Sequence, residues 1–83
     1  MSEIRILGVL VETRGQTADK VQKILTKYGC SVKTRLGLHV QETTACQGCG
    51  IILLELTGSA DECIRLENEL WALEGIKVQK MVF

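Results

Sequence analysis

The apolar positions of the chain follow two spacings, which predict strands in four segments and helices in two. Residues 4–11 and 51–57 are apolar at nearly every position, a pattern typical of strands that are covered on both faces. Residues 30–40 alternate apolar and polar side chains, as an edge strand with one buried face does. Residues 76–83 form the last predicted strand. The predicted buried set of the second strand is Cys30, Val32, Leu36, Leu38 and Val40.

Two segments carry apolar residues at helical spacing instead. In residues 16–28 these positions are predicted to form one buried stripe. The second helix begins with Ser59-x-x-Glu62, a capping box in which the serine accepts a hydrogen bond from the backbone of the third helical residue, and runs to about residue 73. Gly29 and Gly75 act as stop signals. The predicted buried residues are Ala18, Val21, Ile24, Leu25 and Tyr28 in the first helix and Cys63, Leu66, Leu70 and Leu73 in the second, with Arg65, Glu67, Asn68 and Glu69 outside.

The element order is therefore β-α-β-β-α-β over one domain, residues 1–83. We predict an α+β fold of the ferredoxin-like βαββαβ type, a sandwich of a four-stranded antiparallel sheet with two helices on one face. In this topology the first and third strands are central, and these are the two segments that are apolar at nearly every position. The agreement supports the prediction because it was not used to assign the elements.

The face of the sheet away from the helices should carry an apolar set from the first and third strands. Each alternating set of the first strand has three apolar residues, either Ile4, Ile6 and Leu10 or Leu7, Val9 and Val11, so this face should carry three from the first strand and two or three from the third. Because an apolar patch of this size seldom stays exposed, we expect a second copy to cover it in a homodimer or homotetramer, through sheet-to-sheet or edge-to-edge packing. The alternative is a monomer with an apolar sheet face.

The charge balance narrows the classes of partner. Ten Lys and Arg residues balance ten Asp and Glu residues, and the basic residues are scattered, so no direct binding of nucleic acid is expected. No apolar stretch is long enough to span a membrane, and the N-terminus lacks the features of a signal peptide. We therefore expect a cytoplasmic protein whose cysteines are thiols or metal ligands rather than disulfides.

Cys46-Gln47-Gly48-Cys49 is the strongest candidate for chemistry. Two thiolates at this spacing can hold one zinc or iron ion. His39, the single histidine, can supply a third ligand, and two copies of the chain can complete a site of four cysteines. Two alternatives stay open, a loop with free thiols and a redox-active dithiol. His39 can equally be a surface or interface residue. Cys30 and Cys63 are predicted to be small core residues.

Small-ligand binding has its own candidates. The turn at Arg14 and Gly15 leads into the first helix, whose backbone amides attract anions. Gly8 and Gly37 lie within predicted strands, where the missing side chain allows close approach of a ligand or another chain. An ordinary turn and ordinary strand glycines are the alternatives. The chain shows no paired carboxylates in a cleft, no nucleophile beside a base and no phosphate-binding glycine loop, so no enzymatic activity is expected.

Several short segments resemble a known family: residues 6–9, 21–25, 35–39 and 74–78. Together they are similar to small regulators of iron-only hydrogenase systems, which are close to ACT domains and to the C-terminal domain of the nickel-responsive repressor. The resemblance implies a ferredoxin-like fold, a bound small ligand or metal, and assembly through sheets. The repressor's His-x-His pair reads Gly37-Leu38-His39 here, so one nickel ligand is missing. No ribbon-helix-helix segment is present, so a transcriptional regulator of this kind would need a partner protein to contact DNA.

These observations predict a regulatory or sensory module that binds a metal or small ligand and acts through an oligomer interface. A structural or assembly module with no bound ligand is the alternative from another class. A redox or metal-delivery role near a hydrogenase is a third hypothesis. Metal content separates the first and third hypotheses from the second.

Overall fold

The computed structural model describes residues 3–12, 16–39 and 49–83. In these ranges four antiparallel strands form one sheet in the order β2-β3-β1-β4, with two helices. The predicted ferredoxin-like fold is confirmed, with the first and third strands at the centre. The elements are β1 (Arg5–Glu12), α1 (Thr17–Lys27), a one-turn 3-10 helix (Gly29–Ser31), β2 (Val32–His39), β3 (Cys49–Leu56), α2 (Ala60–Trp71) and β4 (Ile76–Val82).

The core lies between the two helices and one face of the sheet. β1 pairs with β3 on one side and with β4 on the other, so that Leu7 stands opposite both Leu54 and Lys80. Alternate residues of each strand point to the same face. The core face therefore carries one alternating set from each central strand, as predicted. Its buried members are Leu7, Val9, Val11, Val21, Leu25, Tyr28, Leu54, Leu56, Cys63, Leu66, Leu70, Ile76 and Val78.

α2 begins where the capping box predicts. The Ser59 hydroxyl accepts a hydrogen bond from the Glu62 amide at 3.2 Å, and Cys63 and Leu66 are buried in the core. The prediction that Glu67 lies outside is wrong, because this side chain is buried. Glu67 faces β4 and β1, where its carboxylate lies 3.3 Å from the Lys80 ammonium and 3.5 Å from the Arg5 guanidinium.

A carboxylate on α2 also joins the two helices. Glu69 accepts hydrogen bonds from the Tyr28 hydroxyl and from the Lys27 ammonium, the latter at 3.1 Å. The hydrogen bond from Tyr28, followed by that from Lys27, lowers the pKa of Glu69 below its usual value. These hydrogen bonds connect the C-terminal end of α1 to α2.

The predicted alternation of the second strand is wrong at its start. Residues 29–31 form the 3-10 turn rather than strand, so Cys30 is exposed and Ser31 is buried. A register shift follows between Val32 and Thr34. An inserted residue of this kind reverses which side chains point to which face. Val32 packs against the core, whereas Leu36 and Leu38, predicted to share its face, are exposed.

Candidate functional site

Two of the predicted ligand residues, His39 and Cys49, lie at one end of the sheet, where β1 and β2 end and β3 begins. Antiparallel pairing places Glu12 opposite Cys49 and His39 opposite Gly50. We call this region the loop end and define it by Glu12, Thr17, His39, Cys49 and Gly50. Three of the predicted site residues, Arg14, Gly15 and Cys46, lie outside the described residues, and of His39 the strand position alone is described.

Cys49 belongs to the sheet rather than to a polar loop. It is the first residue of β3, its side chain is buried, and it is disulfide-bonded, which differs from the expected thiol. The prediction placed residues 41–50 together in a loop, so the strand begins two residues earlier than expected. A cysteine binds metal as the thiolate, and the predicted metal role of Cys49 therefore requires the reduced form.

Metal ligands do not cluster in the part of the chain that the structure describes. Across residues 3–12, 16–39 and 49–83, no three His, Cys, Asp or Glu side chains are placed to hold a metal ion. The set that we predicted includes Cys46 and His39, whose side chains are not described. Metal binding by Cys46, Cys49 and His39 therefore stays a prediction.

A small apolar pocket lies under α1 beside the loop end. Its volume is about 150 Å³. Gly37 pairs with Ile52, one of its lining residues, and a Cβ added at Gly37 would meet nothing within 4 Å. The missing side chain at Gly37 thus leaves the approach over β2 open. The pocket is lined by Val11, Ala18, Val21, Gln22, Gly50 and Ile52.

Gly8 lies elsewhere, on the face of the sheet that carries no helix. It pairs with Leu53 and with Gln79. A Cβ at Gly8 would stand 3.7 Å from Leu53 Cδ2 and 4.0 Å from the Gln79 carbonyl oxygen, which is ordinary contact. Packing within one chain therefore does not require glycine here. The structure does not bring Gly8 and Gly37 together, because they are on opposite faces.

All four strands contribute apolar residues to the helix-free face, which we call the open face. The strand register forms rows across it, such as Leu38–Ile51–Leu10–Lys77 and Leu36–Leu53–Gly8–Gln79. The sequence predicted the contribution of β1 and β3 but missed those of β2 and β4. The apolar residues of the open face are Ile4, Ile6, Leu10, Leu36, Leu38, Ile51, Leu53, Met81 and Phe83.

The exposure of large apolar side chains is concentrated on this open face. Five of the large apolar side chains that are exposed in the described residues belong to the open face, and Leu36 and Met81 are each 52% exposed. Among the described residues, charged groups also lie on this face: Glu12 beyond Leu10 in β1, Glu55 beside Ile6 with Lys33 3.8 Å from its carboxylate, and Lys77 beside Leu10. Within the described residues, no helix has the length and apolar character needed to cross a membrane.

Residues 3–80 match the TM1266-like family, which is described as "Iron-only hydrogenase system regulator, putative". The chain belongs to this family. The predicted resemblance is thereby confirmed, and the family supports the interpretation of the chain as a regulatory module. No curated protein sequence matches the chain.

Solved structures share the fold. The uncharacterized protein TM1266 from Thermotoga maritima is 24% identical, with a TM-score of 0.85 and 99% of each chain covered. CPII, a nitrogen regulatory PII-like protein from Thiomonas intermedia K12 bound to ADP, AMP and bicarbonate, is 15% identical, with a TM-score of 0.59; 98% of this chain and 92% of CPII are covered. At these identities the comparisons establish the fold alone.

Proposed function

We propose that this protein is a non-enzymatic, cytoplasmic regulatory module of an iron-only hydrogenase system and that it works as a homo-oligomer joined through the open face. The family supports the regulatory role. The observation that carries the interface is the concentration of exposed apolar side chains on the one sheet face that no helix covers. Such patches mark interaction sites on small proteins.

The dimensions of the open face suit a pair of copies. Strands of seven or eight residues rise about 3.3 Å per residue and lie about 4.8 Å apart, so four of them present roughly 400–500 Å². Two copies then bury nearly the ~1,000 Å² that a specific interface needs. Two carboxylates, Glu12 and Glu55, and two ammonium groups, Lys77 and the Lys33 group 3.8 Å from Glu55, leave the described part of the face without net charge, so two copies do not repel each other.

Replacing Leu36 by glutamate is expected to lower the mass of the oligomer in solution. Leu36 is half exposed in one chain, so the change leaves the core intact, but it buries an unpaired carboxylate from each copy at the interface. We expect association to weaken at least a hundred-fold, which is about 2.7 kcal/mol. Light scattering coupled to size-exclusion chromatography measures the mass over a dilution series.

The matched control is Arg35→Glu, which puts the same acid on the same exposed strand but on the opposite face. This variant should keep the wild-type mass. If Leu36→Glu also keeps that mass over the dilution series, the open face is not the interface.

We further propose that a ligand binds at the loop end and that its binding changes the interface formed by the open face. One candidate is zinc or iron held by Cys46 and Cys49, with His39. The alternative is a small ligand near Arg14, Gly15 and Gly37; the apolar pocket, which reaches Ile52 opposite Gly37, suits a group of a few carbon atoms. Cys49 begins β3 opposite Glu12, and His39 ends β2 level with Gly50, so both cysteine and histidine lie at the loop end of the sheet, which supports the metal.

The metal proposal predicts close to one zinc or iron ion per binding site in protein purified anaerobically, with a reductant and without chelator. The Cys46→Ser/Cys49→Ser variant should lose it, because serine is a poor ligand for these ions. Elemental analysis measures the content. Cys30→Ser is the control, since Cys30 is an exposed free thiol. Metal-free wild-type protein that takes up neither ion would leave the small-ligand alternative, or an assembly module without a ligand.

A further inference from the structure

Among the described residues, three large exposed apolar side chains lie outside the open face, and all three belong to α2 or β4. Ile64 and Trp71 belong to α2, and Val82 belongs to β4. Val82 pairs with Arg5, whose guanidinium reaches Glu67 of α2, so Val82 is on the helix face. Ile64, Glu67 and Trp71 follow the helical spacing that places them on one side of α2. We call Ile64, Trp71, Lys80 and Val82 the edge surface.

The backbone of β4 is unpaired along this surface. Ile4 and Phe83 exchange both of their backbone hydrogen bonds, at 3.1 and 2.9 Å. Because such pairs alternate along antiparallel strands, Gln79 and Met81 face β1, whereas Val78, Lys80 and Val82 direct their N–H and C=O groups away from the sheet. In the described sheet β4 has β1 as its one neighbour.

The space above this edge is a groove rather than a filled surface. It has a volume of about 250 Å³. The Lys80 ammonium, which would otherwise repel a second lysine, is already paired with the buried Glu67 carboxylate at 3.3 Å. The groove therefore has an apolar wall beside the unpaired edge of β4, and its charged groups neutralise each other in an ion pair. Its lining is Glu67, Trp71, Val78, Gln79 and Lys80.

The opposite edge of the sheet differs. β2 carries the exposed cations Lys33 and Arg35 and β4 carries the exposed Lys77 and Lys80, so charge, which can protect a strand edge from pairing, does not distinguish the two edges, and the difference lies in the helices. α1, the helix that neighbours this edge, shows polar side chains outward, among them Gln22, Lys23 and Thr26. Exposed apolar residues on the helix side therefore mark the β4 edge and not the β2 edge.

We propose that β4 pairs antiparallel with β4 of a second copy, so that the sheet continues through eight strands and α2 packs against α2. With Gln79 opposite Gln79, the outward groups of Val78 and Lys80 form the hydrogen bonds. Lys80 of one copy then stands opposite Val78 of the other, and Lys77 opposite Met81, so no lysine faces a lysine. This interface is separate from the open face and does not depend on it.

The helix spacing fits the same arrangement. Two helices over four strands at about 4.8 Å give each helix a width of two strands, about 10 Å. A sheet that continues through a second β4 places the two α2 helices at about this separation, which is the distance at which helices pack. Trp71 and Ile64 lie on the side of α2 that faces β4 and are available for that contact. With the open face also in use, the assembly is a tetramer with two kinds of two-fold interface.

Lys80→Pro tests the strand pairing. Proline removes the outward N–H of residue 80 and is tolerated on the free side of an edge strand. Lys80→Ala is the matched control, because both variants lose the ion pair to Glu67 and Lys80→Pro alone loses the N–H. Mass is measured by sedimentation, and the fluorescence of Trp71, the single tryptophan, reports whether the edge surface is covered.

We expect Lys80→Pro to halve the wild-type mass and to shift Trp71 emission to longer wavelength, while Lys80→Ala changes neither. Wild-type mass in Lys80→Pro, or halved mass in Lys80→Ala, would overturn the proposal. Should Lys80→Pro fail to fold by circular dichroism, Ile64→Glu decides on the same two readouts. Leu36→Glu reports on the open face separately, so the loss of one interface with the other intact identifies which proposal fails.

Discussion

Replacing Leu66 by alanine is expected to lower the free energy of unfolding by about 3–5 kcal/mol, the largest effect that we predict for one residue. Leu66 is completely buried and belongs to the core between the helices and the sheet. The change removes apolar contacts and leaves a cavity that the surrounding side chains fill only in part. A domain of this size has little stability to lose, so the variant should be largely unfolded well below the wild-type melting temperature.

Urea denaturation at several protein concentrations measures this effect, because association also stabilises the folded chain. Leu73→Ala is the control. Leu73 also packs against the core but is half-buried beyond the end of α2, so its replacement should lower the free energy of unfolding by less than half as much. Equal losses for the two variants would contradict the core that the structure shows.

Arg5→Met is expected to lower the free energy of unfolding by about 2–4 kcal/mol, because it leaves the Glu67 carboxylate buried with one charged neighbour fewer. The side chains of Arg5 and Glu67 are 13% and 12% exposed. Glu67 Oε1 has no hydrogen-bond partner, so its stabilisation comes from the Arg5 charge at 3.5 Å. Lys80 contacts the other carboxylate oxygen and is half exposed.

The double variant Arg5→Met/Glu67→Leu separates this cause from a loss of packing. With both charges removed, the site becomes apolar, and most of the lost stability should return. Lys33→Met is the surface control, since the Lys33–Glu55 pair is 3.8 Å long and exposed, and its loss should change stability little. A double variant that is less stable than Arg5→Met would show that Glu67 is stabilising without Arg5.

Much of the fold follows from the local pattern of apolar residues. β1 and β3 could be placed at the centre because both of their faces are apolar, and in this topology the central strands contact the helices on one face and form the middle of the open face on the other. α2 could be started at Ser59 because its cap is a local interaction, complete within four residues. These features depend on neighbours in the sequence, so they are visible in it.

Other features depend on residues far apart in the sequence. The register shift after Val32 is set by pairing with β3, and no local pattern predicted that Leu36 would leave the face of Val32. Glu67 looked like a surface residue because its charged partners, Arg5 of β1 and Lys80 of β4, belong to other elements of the fold. The burial of Cys49 likewise depends on where β3 begins. The sequence could therefore identify candidate site residues by their type, but it could not show which of them lie close together in the fold.

The strand order has a consequence for the rate of folding. β2 and β3 are neighbours in both sequence and sheet, whereas the central pair β1 and β3 joins positions such as Leu7 and Leu54, with more than half of the chain between them. Contacts between such distant positions form slowly, because the intervening chain must lose its freedom first. On a ribosome, β1 has no partner in the sheet until β3 has emerged. During that interval its apolar side chains are uncovered, which makes the unfinished chain a natural client of chaperones.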